Sequence, residues 1–212
     1  MKYFYYVRYF FFIAINWNPR LAWFTLQHEI RGERNYGINT SRLNNLKNLT
    51  LKGNRLDAEI YQGANYFLLE KVFEESRLIG INESIIDFGC GKGRAMVVAA
   101  HFGYNKITGI EFAKELSDEA SKTITPVQKQ FPDKIFKVIN ANAADYNIEK
   151  DANVFFFFNP FNEIVMQQVV RNILASLKRK PREVFTIYLN PVHKDIWLSA
   201  GFQEIYNYEN RH

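Results

Sequence analysis

A chain of 212 residues, 47% of them hydrophobic, has enough apolar material for one domain with an extension or for two small domains, and does not belong to the disordered class. Its net charge of +5 admits an acidic partner such as nucleic acid or an anionic membrane surface, yet no basic run is dense enough to act as a tail. The single cysteine, Cys90, excludes an intrachain disulfide and fits a reducing, cytoplasmic compartment, and the scattered His28, His101, His193 and His212 give no metal-ligand spacing, so no metal is expected.

Residues 1–30 are strongly apolar and aromatic. Arg8 interrupts "MKYFYYVRYFFFIAINW", Asn16 ends it, and no small-residue cleavage site follows, so neither a membrane span nor a secretory signal fits. The stretch reads as one or two aromatic helices broken near "NWNPR", with Pro19 suited to a helix first turn. Such helices either pack on their own domain, the expected outcome, or make peripheral contact with a membrane or a partner. Residues 31–56 are polar, with Gly32, Gly37 and Gly53, and read as a loop-rich connector. From about Asn65 a helix is expected, with Phe67, Leu68, Val72 and Phe73 on one face and Gly80 as its stop. The division is therefore 1–56, extension and connector, and 57–212, the main domain.

From residue 84 apolar strands alternate with amphipathic helices. Strands are expected at 84–88, 106–112, 134–140, 153–158, 183–189 and 202–208, and helices at 93–103, 113–124, 162–178 and 192–201. This is an α/β three-layer sandwich with a mostly parallel central sheet and an N-terminal aromatic helical extension. The basic "LKRKPRE" at 177–183 falls where a helix should end, complementing the helix dipole. In open sheets of this kind ligands bind outside the carboxyl ends of the strands, and every motif below falls at such an end.

The first strand ends in "DFGCGKGR". Asp87 is followed by Gly89, Gly91 and Gly93 at every second position, with Cys90 serving as a small residue between two of them. Glycine permits the backbone angles of a tight strand–helix turn and lets a ligand approach the main chain. The spacing is not that of the dinucleotide fingerprint, nor of a P-loop, because Gly91-Lys92 is followed by Gly93. Asp87 would repel a phosphate and attract an ammonium group. Glu111 ends the second strand, where a carboxylate can accept both hydroxyls of a ribose, and Phe112 can pack on an adenine face.

"DFGCGKG" followed by "GIEF" resembles the class I S-adenosylmethionine-dependent methyltransferases over roughly residues 57–208. The longer "DFGCGKGRAMVVAA…ITGIEFAKEL" with "YQGANYFLLEKV" is similar to a bacterial group of mostly uncharacterised members and to protein-lysine methyltransferases with a D-x-G-x-G-x-G-R loop. The resemblance implies the class I methyltransferase fold and S-adenosyl-L-methionine as cofactor. Asp87, Gly89, Cys90, Gly91 and Gly93 would hold its methionine part and Glu111 its ribose. Tyr61 and Asn65 would fold over its carboxylate end, unless they only start a helix, and Arg94 would be structural. At the third strand end the family's adenine-contacting position falls on Asn142, with Ala143 beside it and Asp145 as the alternative.

At the fourth strand end stands "FFFFNPF". An asparagine oxygen at Asn159 can accept from a target N–H, Pro160 stiffens the loop, and Phe161 either stacks on the target or packs inward. This resembles the family's [D/N]-P-P-[YF] motif for amino-group methylation. One proline is missing, which weakens the case for adenine or glutamine as target. Glu163 suits a helix first turn, and His193, after the "NPV" turn at 190–192, is read as structural. The expected activity is methyl transfer to nitrogen, favouring a protein side chain such as lysine. Nucleic-acid or small-molecule methylation, and a non-catalytic cofactor-fold protein at a membrane surface, are the alternatives. Nothing in the sequence bears on oligomeric state. Proteins of this fold usually close the sheet with a two-strand hairpin, and only one such strand is visible here, so an exposed edge is expected near 202–208.

Overall fold

The computed structural model describes residues 2–41, 63–80 and 83–208, with side chains from Tyr6 onward. Two helices, α1 (Lys2–Asn16) and α2 (Pro19–Tyr36), come first, then α3 (Tyr66–Leu78). Strands and helices alternate after that: β1 (Ser84–Phe88), α4 (Arg94–His101), β2 (Lys106–Glu111), α5 (Lys114–Gln130), β3 (Ile135–Asn140), a 3-10 turn at Ala143–Asp145, β4 (Val154–Phe158), α6 (Glu163–Arg179), β5 (Phe185–Leu189) and α7 (Lys194–Ser199). The five strands form one sheet in the order β3-β2-β1-β4-β5, and every neighbouring pair is parallel. The chain winds outward from β1 to β3 and then crosses to β4 on the other side. The order therefore reverses at β1, which opens a crevice at its carboxyl end.

Parallel strands covered on both faces must be apolar on both, and β4 shows this most directly. Its side chains alternate: Phe156 enters the core shared with α3, α4 and α5, whereas Phe155 and Phe157 enter the core shared with α6 and α7. Phe156 meets Phe73 of α3 at 5.6 Å, and Phe157 stacks on Phe88 of β1 at 5.1 Å. This is the expected three-layer arrangement.

The extension is a helical hairpin locked to the α/β domain by buried charge. Asn18 caps α2 by accepting from the Leu21 N–H at 2.7 Å, and Pro19 occupies the first turn, where no N–H is needed. Helix α2 runs to Tyr36, beyond the expected loop boundary, because Gly32 is an interior helix residue. A side chain at Gly32 would overlap the Tyr66 ring, so this glycine serves close packing. One turn apart on α2, Glu29 and Glu33 are both buried. Glu29 accepts two parallel bonds from Arg94, at 2.8 and 2.9 Å. Arg94 also donates to Thr40 Oγ1 (2.7 Å) and the Ala64 carbonyl (2.8 Å), and it lies over the Tyr66 ring at 4.3 Å. Glu33 accepts from the Tyr6 hydroxyl (2.8 Å) and from the backbone of Thr40 and Ser41 (2.8 and 2.9 Å).

Three further expectations need correction. The buried face of α3 is Tyr66, Leu69, Phe73 and Ser76; Phe67, Leu68 and Val72 flank it, half-buried. Helix α5 continues past residue 124 to Gln130 through Pro126, because Ile124 and Val127 both stay in the core and the proline lies on the exposed side. Residues 202–208 form no strand. Phe202 alone turns inward, onto Trp197 at 5.0 Å, while 203–208 are exposed, so no alternate set is buried to hold a strand in place. Among the described residues β5 is therefore one edge of the sheet, with β3 the other. The boundary expected at 56/57, and Tyr61, lie outside the described residues.

Removing one member of a buried ion pair strands the other, at a cost of about 3–5 kcal/mol. Arg94→Leu is therefore expected to lower unfolding free energy in chemical denaturation by about that amount, and Glu29→Leu combined with Arg94→Leu by less than the sum of the two single changes.

Candidate functional site

The turn from β1 into α4 is held by backbone hydrogen bonds and takes conformations that favour glycine. The N–H groups of Gly89 and Cys90 both reach the Ile110 carbonyl (2.8 and 3.1 Å), tying the turn to β2, and Gly93 N–H closes it on the Cys90 carbonyl at 2.8 Å. Gly89, Gly91 and Gly93 take φ of 76°, 54° and 80°, the left-handed region. Gly89 carries a second requirement, since a side chain there would overlap Pro160. The loop after β4 is thus pressed onto the loop after β1, across the crevice where the strand order reverses.

Two acids lie beneath this contact. Asp87 is 3% exposed, and its Oδ2 is a buried oxygen with no hydrogen-bond partner among the described residues. Glu111 stands two positions beyond the register partner of Asp87, Gly109, and is also buried. Its Oε2 accepts from Gly91 N–H and its Oε1 from Ala113 N–H, both at 2.9 Å, which leaves each oxygen further acceptor capacity. Burial first, and the Glu111 charge second, push the Asp87 carboxyl up to about 8. Burial also raises Glu111, opposed by its backbone donors. An unpartnered buried carboxylate costs free energy unless a cation reaches it.

The other expected residues stand at the ends of strands and helices. Phe112 is half-buried directly after β2. Asn142 precedes the 3-10 turn and accepts from Ala144 N–H at 3.0 Å, with Ala143 buried next to it. Asp145 ends that turn. Asn159 has a φ of 38°, unusual for a side chain, and its Oδ1 is buried without a partner among the described residues. Phe161 points into the core, edge-on to Phe157 at 6.2 Å. Asn65 caps α3 through Phe67 N–H at 2.8 Å. Cys90 is buried, its Sγ filling the space over Gly109, and its thiol is pushed well up, by burial first and then by Asp87 and Glu111. Glu163 is exposed in the first turn of α6, and His193 is half-buried before α7.

One contributor had no motif, and a second, Arg94, ends the D-x-G-x-G-x-G-R loop. Asn140, at the end of β3, donates to the carbonyls of Glu111 (2.9 Å) and Phe112 (3.0 Å) and so fixes the turn that carries Glu111. Arg94 anchors the extension directly behind the glycine turn; the signal for it is the Glu29/Glu33 pair, two acids four residues apart on an otherwise apolar helix face. A cavity of about 670 Å³ lies elsewhere, between α3, the outer edge of β5 and residues 202–208, and none of the glycine-turn residues lines it.

No family model matches this sequence, and neither does any curated protein. Solved structures do. The chain is similar to a candidate RNA methyltransferase from Pyrococcus horikoshii (19% identity, 72% of this chain and 75% of that chain, TM-score 0.49). It is also similar to a tRNA (uracil-54, C5)-methyltransferase from Pyrococcus abyssi in complex with S-adenosyl-L-homocysteine (14%, 66% of this chain and 33% of that chain, 0.47). A third is a glycopeptide N-methyltransferase complexed with S-adenosyl-L-methionine (12%, 51% of this chain and 49% of that chain, 0.43). This chain thus spans about a third of the second protein and half of the third. At such identities and scores the likenesses carry no argument about chemistry, which rests on the site itself.

The raised Asp87 gives a pH signature. A folded-state value of about 8, above the ordinary 3.8, means that the folded protein holds a proton the unfolded chain has released. Stability from this group is full below about pH 4 and is lost as pH rises toward and through 8. Asp87→Asn should leave the melting temperature of the ligand-free protein nearly unchanged at pH 4 and raise it by several degrees at pH 9 in calorimetric scans.

Proposed function

We propose that the chain binds S-adenosyl-L-methionine at the β1 crevice and transfers its methyl group to an acceptor nitrogen, with a protein side chain such as lysine favoured. The observation that carries this reading is the buried, unpartnered Asp87 oxygen beside Glu111 under a glycine turn. Two buried acids at the ends of neighbouring strands suit a ligand bearing an ammonium and a ribose and disfavour a diphosphate. In this reading residues 57–212 form the cofactor domain and residues 1–56 the extension that backs it, in a cytoplasmic protein.

Bound there, the cofactor supplies an already activated methyl group. The chain's part is positioning. Asp87 faces the cofactor's ammonium, and the spare acceptor capacity of Glu111 takes ribose hydroxyls. Gly89, Gly91 and Gly93 allow close approach to the main chain, with Phe112, Asn142 and Ala143 on the adenine side. The free Asn159 oxygen accepts an N–H of the target amine and aims its lone pair, while Pro160 holds that loop against the cofactor turn. An amide cannot take up a proton, so the amine reaches Asn159 neutral or sheds its proton to water. Tyr61 and Asn65 are assigned to the carboxylate end by resemblance only. The Asn159 oxygen, without a partner among the described residues, and the acidic floor of the site support an amine over a phosphate-bearing acceptor, and this ranks a protein above nucleic acid.

Titration calorimetry should show binding of S-adenosyl-L-methionine and of its demethylated product, lost in Asp87→Ala and weakened about tenfold or more in Glu111→Ala. A folded parent that binds neither compound rejects the reading. Asn159→Ala should retain cofactor affinity and slow single-turnover methyl transfer by about 100-fold. With a methyl-labelled cofactor and cell extract, label is expected in protease-sensitive material; label in nuclease-sensitive material would replace the protein acceptor with nucleic acid.

A further inference from the structure

The α1–α2 hairpin has two unlike faces. Its inner face is used: Tyr6, Ile13, Ala22, Glu29 and Glu33 are buried, and the charged pair anchors it to α4. Its outer face is apolar and uncovered. Val7, Phe11 and Ile15 follow one another at four-residue spacing along α1, Phe12 lies beside them, Trp17 occupies the turn, and Trp23 continues the surface on α2. Exposure is greatest toward the tip, with Ile15 at 79% and Trp17 at 64%. Phe12 and Trp17 meet edge-on at 6.0 Å, so the tip is an aromatic wedge. Among the described residues nothing packs over this stripe.

We propose that this tip is a docking surface for an anionic lipid bilayer, in which the hairpin lies in the headgroup region without crossing it. Length excludes a span: α1 has 15 residues, about 22 Å of helix against about 30 Å of hydrocarbon, and no described helix is long and apolar enough to cross. The chemistry favours an interface. Tryptophan and phenylalanine at a helix end partition to the boundary between headgroups and acyl chains. Charge selects the lipid: Lys2, Arg8 and Arg20 are the charged residues before Glu29, so the first 28 residues contain no acid. Each basic residue near an anionic surface strengthens partitioning by about fivefold. A second copy of the chain is the poorer occupant, since it would add its own Arg8 and Arg20 to a face that already carries positive charge and no acid.

The test uses the full chain without cofactor or acceptor, so its failure leaves the methyl-transfer reading untouched. The protein is sedimented with vesicles of phosphatidylglycerol and phosphatidylcholine, and with phosphatidylcholine alone. It should pellet with the anionic vesicles and much less with the neutral ones, and high salt should release it. Because Trp197 is buried, emission from Trp17 and Trp23 should be quenched by brominated acyl chains, a readout that needs no variant. Phe12→Ser combined with Trp17→Ser should lower partitioning by at least about tenfold, with an unchanged melting temperature because both side chains are exposed. No pelleting with anionic vesicles, absence of quenching, or a parent chain that sediments as a dimer dissociated by the same double change would overturn the proposal; the last outcome would assign the face to a second copy.

Discussion

Gly89 lets the chain leave β1 at a φ of 76° while Pro160 occupies the place where a side chain would begin. With any larger residue the loops after β1 and β4 would have to separate, and the crevice at the strand reversal would widen. The contact has a cost on its far side, where Asn159 is held in a left-handed conformation with an unpartnered oxygen. A left-handed side-chain residue and an unpartnered buried oxygen therefore coincide at Asn159, a combination expected where a site, rather than stability, decides the residue.

The electrostatics follow from the same geometry. Parallel pairing puts Asp87 and Glu111 at the ends of neighbouring strands, and the glycine turn folds over both and keeps water away. Glu111 has backbone donors to hold its charge, whereas Asp87 Oδ2 has none among the described residues. The ligand-free site is poised against ionisation, and a positively charged group entering it would relieve that penalty.

Much of this was legible in the sequence because it is written in short-range patterns. The two-residue glycine spacing, the acid at the end of "SIIDF" and the alternation of apolar strands with amphipathic helices each need only a few neighbouring residues, and the parallel sheet follows from them. What escaped depends on distant partners. Gly32 looks like a helix breaker until Tyr66 is seen to need its space. Pro126 looks like a stop until the burial of Ile124 and Val127 is known. The tail at 202–208 has strand-like composition but no second sheet face to bury it. Arg94 carries no sign that its partner lies 65 residues earlier, although the paired acids on α2 offered a hint. The roles of Asn159 and Asn142 likewise follow from the loops that present them, and Tyr61 lies outside the described residues.

Cys90 gives the glycine turn a reporter of its own. It is the chain's one thiol, 7% exposed, packed with Met96 over Gly109 inside the turn that borders the crevice. A buried thiol with a raised pKa reacts only from conformations in which the loop has opened. The rate at which that sulfur meets an alkylating reagent is therefore a clock for the loop's own opening, and whatever settles over the glycines would slow it.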